Sequence, residues 1–134
     1  MNGAAARRGG SRGAGGNGPA PIRRGDVVLV SLDPVVGREV GKTRPAVVVQ
    51  NDVGNRFSPT VIVVAITSYS AKKASYPICA AIEEGEGGLR RRSIANASQV
   101  RTVDRARLVG PPLGRLAAAT MMRIDDALRD SLGL

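Results

Sequence analysis

From Gly25 onward the chain alternates short apolar runs with polar or glycine-rich breaks, a rhythm that predicts strands joined by turns. Residues 27–32, 45–50 and 61–66 are crowded with valine and isoleucine and read as three strands, apolar enough to be buried on much of both faces. Pro45 is acceptable at the first position of its strand, where no ladder donor is lost. Asp33-Pro34 breaks the first run, and residues 35–43 form a glycine-punctuated loop. Asn51-Asp52 opens a polar loop that runs through Ser58-Pro59. Residues 76–82 predict a fourth strand, followed by a turn at Glu83-Glu84-Gly85-Glu86-Gly87-Gly88. Residues 94–97 and 108–113 are shorter strand candidates, the second an edge because of Pro111-Pro112. The helical signal comes last. Met121, Ile124, Leu128 and Leu132 recur at helical spacing, with Arg123, Asp126 and Arg129 off that stripe. Strands first and a helix last predict a small, mainly β, barrel-like antiparallel domain with an appended C-terminal helix.

Residues 1–22 stand apart from this pattern. They are Gly/Ala/Arg-rich, with no aromatic and no acidic side chain, and bury too little apolar surface to offset their ordering entropy. The expected organisation is a disordered tail over 1–22 and one folded domain over 23–134. With 134 residues the chain has room for a single core, which pairing with a second copy would reinforce.

Charge sharpens the picture. Twenty Lys and Arg against eleven Asp and Glu give a net charge of +9, which favours a polyanionic partner. There is no histidine, so the commonest acid–base catalyst is missing, and Cys79 is the lone cysteine. No disulfide framework and no zinc site are expected, and a reducing cytoplasm is the expected setting. No apolar run approaches the ~20 residues of a membrane span, and no apolar stretch follows the N-terminal arginines as a secretory signal requires.

Several motifs dissolve on inspection. Gly13-Ala14-Gly15-Gly16-Asn17-Gly18 has the letters of a dinucleotide-binding turn but no flanking strand and helix. Gly41-Lys42-Thr43 ends like a phosphate-binding P-loop, yet Val36 stands where the first glycine belongs and Arg44-Pro45 forbids the helix that must follow. Glu83, Glu84 and Glu86 read as a solvated hairpin tip rather than a cation site, and Cys79 as core packing. Arg90-Arg91-Arg92 is either a solvated face or a phosphate-contacting patch. Aromatic residues are too few for a broad base-stacking sheet, so recognition would rest on arginine, hydroxyl, amide and backbone groups. Arg44 has two readings on its own: an ion pair with Asp33 or Glu39, or a phosphate clamp built on its planar fork. Thr67 alone reads as a strand-end threonine.

The order of several linked segments adds a second kind of information. Arg24-Gly25-Asp26-Val27-Val28, Leu32-Asp33-Pro34, Gly37 with Glu39, and Arg44-Pro45-Ala46-Val47-Val48-Val49 occur in sequence. They are followed by Gln50-Asn51-Asp52-Val53-Gly54-Asn55-Arg56-Phe57-Ser58-Pro59, Val64-Ala65-Ile66-Thr67-Ser68 and Ser98-Gln99-Val100-Arg101-Thr102-Val103-Asp104. Together with the closing helix, this succession resembles the MazF/PemK toxin family over residues 23–134. The resemblance implies an SH3-like small barrel of the MazF/CcdB type and a sequence-specific endoribonuclease that cuts single-stranded RNA without a metal or other cofactor. It also implies a cytoplasmic homodimer neutralised by a MazE-like antitoxin whose acidic segment fills the RNA groove. Arg44 and Thr67 correspond to the family's catalytic pair, and Arg38, Glu39, Asn55, Arg56, Ser68 and Gln99 to RNA-contacting positions. Cleavage would leave 2′,3′-cyclic phosphate and 5′-hydroxyl ends. The first loop departs from the family's usual Gly-Ser-Glu-Gln-Gly, with Arg38 for serine and Val40 for glutamine, so the target sequence does not transfer. Ala117 stands where relatives often have a capping serine, which is expected to weaken the helix start by ~1 kcal/mol. The same barrel also serves CcdB-like toxins that bind gyrase, and a non-catalytic nucleic-acid binder is the remaining alternative.

Overall fold

Side-chain parity along the valine-rich strands explains the architecture. In the computed structural model, which describes residues 21–32 and 42–134, strand β1 (Asp26–Ser31) sends Val27 to one hydrophobic cluster and Val28 and Val30 to another. Strand β2 (Thr43–Val48) repeats the split, with Val47 in the first cluster and Ala46 and Val48 in the second. Strand β3 (Thr60–Ser68) places Val64 and Ile66 in the first cluster and Val61 and Val63 in the second. Alternate residues point to opposite faces of a strand, so a run apolar at every position yields a sheet buried on both sides. Ile22, at the end of the expected tail, is itself buried in the second cluster. Residues 1–20 of that tail lie outside the described residues, as do Arg38 and Glu39.

The remaining strands are β4 (Cys79–Ile82), β5 (Ser93–Asp104) and β6 (Leu108–Arg115). Together the six form one antiparallel sheet in the order β4-β5-β3-β2-β1-β6. The expected barrel is therefore corrected to an open sheet: among the described residues no ladder joins its edges, β4 and β6. Closure would require the two edges to exchange backbone hydrogen bonds, and both are poorly equipped for it. Edge strand β6 carries Pro111-Pro112, which offer no N–H, and β4 is only four residues long before the chain turns away. The gap is bridged by packing instead. The turn Glu86–Gly88 lies against β6 so closely that a Cβ on Gly88 would fall on the Leu113 carbonyl oxygen, and Gly88 holds a φ of +78° that favours glycine.

Helix α3 (Ala118–Leu132) covers the first cluster with Met121, Ile124 and Ala127, while Leu128 packs beside them and Leu132 stays exposed. Its N-cap, Ala117, provides no side-chain acceptor, but Glu86 Oε2 accepts the Ala117 N–H at 3.0 Å. A carboxylate from another loop thus partly replaces the missing cap. Gly133 closes the helix at φ +74°, its N–H donating to the Arg129 carbonyl. Two short helices occupy stretches that the hydrophobic pattern leaves without a helix, one in the polar loop after Gln50 and one between the third and fourth predicted strands. Helix α1 (Asp52–Phe57) is capped by Asn51, whose side chain accepts from Gly54 N–H at 2.8 Å. Helix α2 (Ala71–Ala74) is capped by Ser70, which accepts from Lys73 N–H at 3.1 Å.

Candidate active site

Strands β2 and β3 exchange ladder bonds at Val48↔Val63, Val47↔Val64 and Ala46↔Ala65, and there the pairing stops. Each strand nevertheless continues with its other neighbour, β2 with β1 as far as Ser31↔Thr43 and β3 with β5 as far as Ser68↔Ser93. The sheet therefore forks beyond Ala46 and Ala65. Arg44 and Thr67 stand on the two prongs, each two residues past the last pair and so on the face that carries Ala46 and Ala65. A break in the register of β5 falls at the same level. Val64 faces Val100 but Ala65 faces Asn96, so Ala97, Ser98 and Gln99 are extra residues on β5. Bulges of this kind bend a strand and re-aim its side chains.

The fork opens as a cleft of about 120 Å³. Arg44, Thr67, Gln99 and Arg101 supply its polar lining, while Val30, Ala46, Val63 and Ala65 supply much of its apolar wall. None of the described lining residues is acidic. Arg44 is exposed and pairs with no described carboxylate. The hydroxyl of Thr67 is in the opposite condition: its Oγ1 is buried and, among the described residues, is the one buried side-chain oxygen or nitrogen without a hydrogen-bond partner. An orphaned buried hydroxyl costs about 1–3 kcal/mol, so its persistence beside a guanidinium that meets no described carboxylate points to a ligand that supplies acceptors.

The other expected site residues divide. Gln99 joins the pair in the cleft, whereas Ser68 lies exposed at the end of its prong. Asn55 is buried within α1 and serves the fold. Its Nδ2 donates to the Gln50 carbonyl at 2.9 Å and to Asp52 Oδ1 at 3.0 Å, and its own carbonyl accepts from Arg105. Arg56 is exposed on the same helix, its guanidinium 5.3 Å from the centre of the Phe57 ring. Arg101 was not singled out by the sequence. Its signal was the parity it shares with Gln99, hidden because residues 99–101 fall beyond the strand predicted over 94–97. Of the three carboxylates in the 83–88 turn, Glu83 lies 3.4 Å from Arg92 and Glu86 accepts from the start of α3. Among the described residues no group of three or more His, Cys, Asp or Glu side chains is placed to hold a metal ion. Burial pushes the Cys79 thiol up, only partly opposed by the charge of Lys73, which disfavours the reactive thiolate.

Comparison with known proteins identifies the relatives of this chain. The family described as PemK-like, MazF-like toxin of type II toxin-antitoxin system matches residues 23–132. Endoribonuclease EndoA of Bacillus subtilis (strain 168) is 44% identical over 113 residues, which cover 84% of this chain and 96% of EndoA. Endoribonuclease MazF of Staphylococcus epidermidis is 47% identical over 113 residues, covering 84% and 92%. Among solved structures, an endoribonuclease in complex with its cognate antitoxin, from a mycobacterial species, superposes with a TM-score of 0.68 at 27% identity, covering 84% of this chain and 96% of that one.

Proposed function

The chain belongs to the PemK-like, MazF-like family of type II toxins, and from that premise we propose that it cuts single-stranded RNA at the β2–β3 fork, with Arg44 and Thr67 as its catalytic residues. The observation that carries this reading is the coincidence, on one face of one cleft, of a guanidinium and a buried hydroxyl that both lack a partner among the described residues. The guanidinium calls for an anion and the hydroxyl for a hydrogen-bond acceptor, and the oxygens of a phosphodiester meet both needs.

RNA brings its own nucleophile. Each 2′-hydroxyl lies next to the phosphorus it attacks, so alignment of that oxygen with the 5′-leaving group accounts for much of the acceleration. The 2′-oxygen forms a bond to phosphorus, the P–O5′ bond breaks, and the 2′-proton leaves as the 5′-oxygen gains one. The products are a 2′,3′-cyclic phosphate and a 5′-hydroxyl. No metal enters this scheme. The pentacoordinate phosphorus gathers negative charge, which the fork of Arg44 stabilises through two parallel hydrogen bonds, and Arg44 is also placed to protonate the leaving oxygen. Thr67 Oγ1 donates to a non-bridging oxygen. Gln99 and Arg101 hold the neighbouring nucleotides. Arginine is a poor base at its ordinary pKa, which leaves Glu39 or water to accept the 2′-proton.

The domain over 23–134 acts as a cytoplasmic homodimer, and its groove is closed by a MazE-like antitoxin that presents acidic residues to Arg44 and Arg101. None of the described helices is long and apolar enough to cross a membrane. Primer extension on a long RNA with EDTA present tests the reading. Stops at a short recurring sequence, absent with Arg44→Ala, support it. Folded dimer that cuts nothing overturns it in favour of a gyrase-binding or binding-only toxin.

A further inference from the structure

The register that places Thr67 at the fork also places a second feature next to it. Thr67 faces Ile94 and Ser68 faces Ser93 across β3 and β5, so the following pair, just past the end of the ladder, is Tyr69 opposite Arg92. The two side chains stack, with the Arg92 guanidinium 3.9 Å from the centre of the Tyr69 ring. Tyr69 lies two residues beyond Thr67, about 7 Å along the strand direction. Arg92 remains about half exposed even though Glu83 approaches it at 3.4 Å, a separation too long for a tight ion pair. Beside the stack, Arg90 and Arg91 are exposed and pair with no described carboxylate, and the turn they occupy is fixed where Ser93 Oγ donates to the Arg91 carbonyl at 2.8 Å. Lys72 is exposed on α2, which starts immediately after Ser70.

We propose that the Tyr69–Arg92 stack, flanked by Arg90 and Arg91, is a second RNA-contacting surface that holds nucleotides next to the one being cut. This rests on the endoribonuclease reading of the cleft and extends it along the strand. A flat ring and a flat guanidinium both stack on bases without regard to sequence, and the two arginines beside them meet the backbone phosphates. An acidic peptide would use the charges but has no need of the stacked planes, which is why RNA is the occupant favoured here. The surface therefore contributes affinity and reach, while the choice of cleavage sequence stays with the cleft.

The test is binding of two fluorescent RNAs, each with a single 2′-deoxy nucleotide at the mapped cleavage site so that it is not cut. One RNA has about 6 nucleotides, confined to the cleft, and the other about 16, long enough to pass over the second surface. Wild type should prefer the longer RNA by about tenfold or more, with a salt dependence steeper for the longer RNA by a slope of about 2. In the variant Arg90→Ser/Arg91→Ser/Arg92→Ser the preference and the extra slope should both vanish. Arg92→Lys should keep the slope and lose part of the preference, and Tyr69→Phe should keep both. A length preference that survives the triple substitution overturns the proposal. So does a triple variant that keeps its preference for longer RNA but no longer binds poly-glutamate, which would assign the surface to an acidic protein partner. Wild type that neither binds the RNAs nor cuts their all-ribose counterparts overturns the reading of the cleft itself, and this proposal with it.

Discussion

Arg24, just before β1, and Arg44, near the start of the neighbouring β2, live in opposite surroundings. Arg24 is satisfied at every turn: its backbone N–H donates to Asp52 Oδ1 at 2.7 Å, its Nε to the Val49 carbonyl at 2.9 Å, and its Nη2 to Asp125 Oδ1 at 2.6 Å. Through these bonds one residue ties β1 to α1, to the end of β2 and to α3. Close by, Asp26 is buried and accepts from Arg23 N–H and from Arg115 Nε. Arg44 meets none of the described carboxylates, and the hydroxyl across the fork from it, Thr67 Oγ1, is buried without a partner. An arginine is spent on the fold in one place and, among the described residues, left without a carboxylate in the other. What separates the two regions is local strand pairing, since the polar network sits where the sheet is continuous and the cleft where β2 and β3 part.

Substitution should pull the two regions apart. Arg44→Ala is expected to lower cleavage by about 10²–10³-fold, the range for loss of a charge-stabilising donor, without moving the thermal midpoint. Arg44→Lys should fare little better, because the planar fork is lost although the charge is kept. Arg24→Ala should do the reverse. Urea denaturation is expected to show a loss of about 1–2 kcal/mol, discounted for partial exposure of the ion pair, while the folded fraction cuts RNA at the wild-type rate. Thr67→Val sharpens the contrast further. Removing a buried hydroxyl that has no partner should raise stability by about 1 kcal/mol, while cleavage falls roughly tenfold. A Thr67→Val protein that is both less stable and fully active would abolish the distinction.

The smallest expected effect concerns acid. Burial pushes the Asp52 carboxyl up, but hydrogen bonds from Arg24 N–H and Asn55, with the charges of Arg23 and Arg115, outweigh it and hold the group below its ordinary value of 3.8. A carboxyl depressed on folding stabilises the native state at pH values above its unfolded pKa, and that contribution fades as pH falls through the folded value. Thermal melts between neutral pH and the acid limb should therefore show a shallower acid-side loss for Asp52→Asn than for wild type, and no activity change specific to the fork.

Much of this arrangement was legible in the residues. Long β-branched runs marked β1, β2 and β3, and the spacing of Met121, Ile124 and Leu128 marked α3. Helix α1 was not, because Gly54 and Asn55 are weak helix formers. It is held by the Asn51 cap and by tertiary bonds from Gln50 and Arg105 that no local pattern announces. Closure of the sheet was misread for a related reason, since strand count is local information and the meeting of two edges is not. The Arg44–Thr67 pair was visible as residues at the ends of strands, and family resemblance gave them roles. Their facing geometry, the orphaned hydroxyl and the place of Arg101 depend on where one ladder stops and another slips by three residues.

The central claim is that the fork acts on RNA through the RNA's own 2′-hydroxyl. The most direct measurement compares two identical RNAs, one carrying a single 2′-deoxy nucleotide on the 5′ side of the scissile phosphate, with EDTA present and the product ends identified by mass. Cleavage of the all-ribose RNA to a 2′,3′-cyclic phosphate and a 5′-hydroxyl, with none at the substituted position, is the predicted result. Continued cutting at the deoxy position would contradict it, because the nucleophile would then have to be something other than the neighbouring hydroxyl.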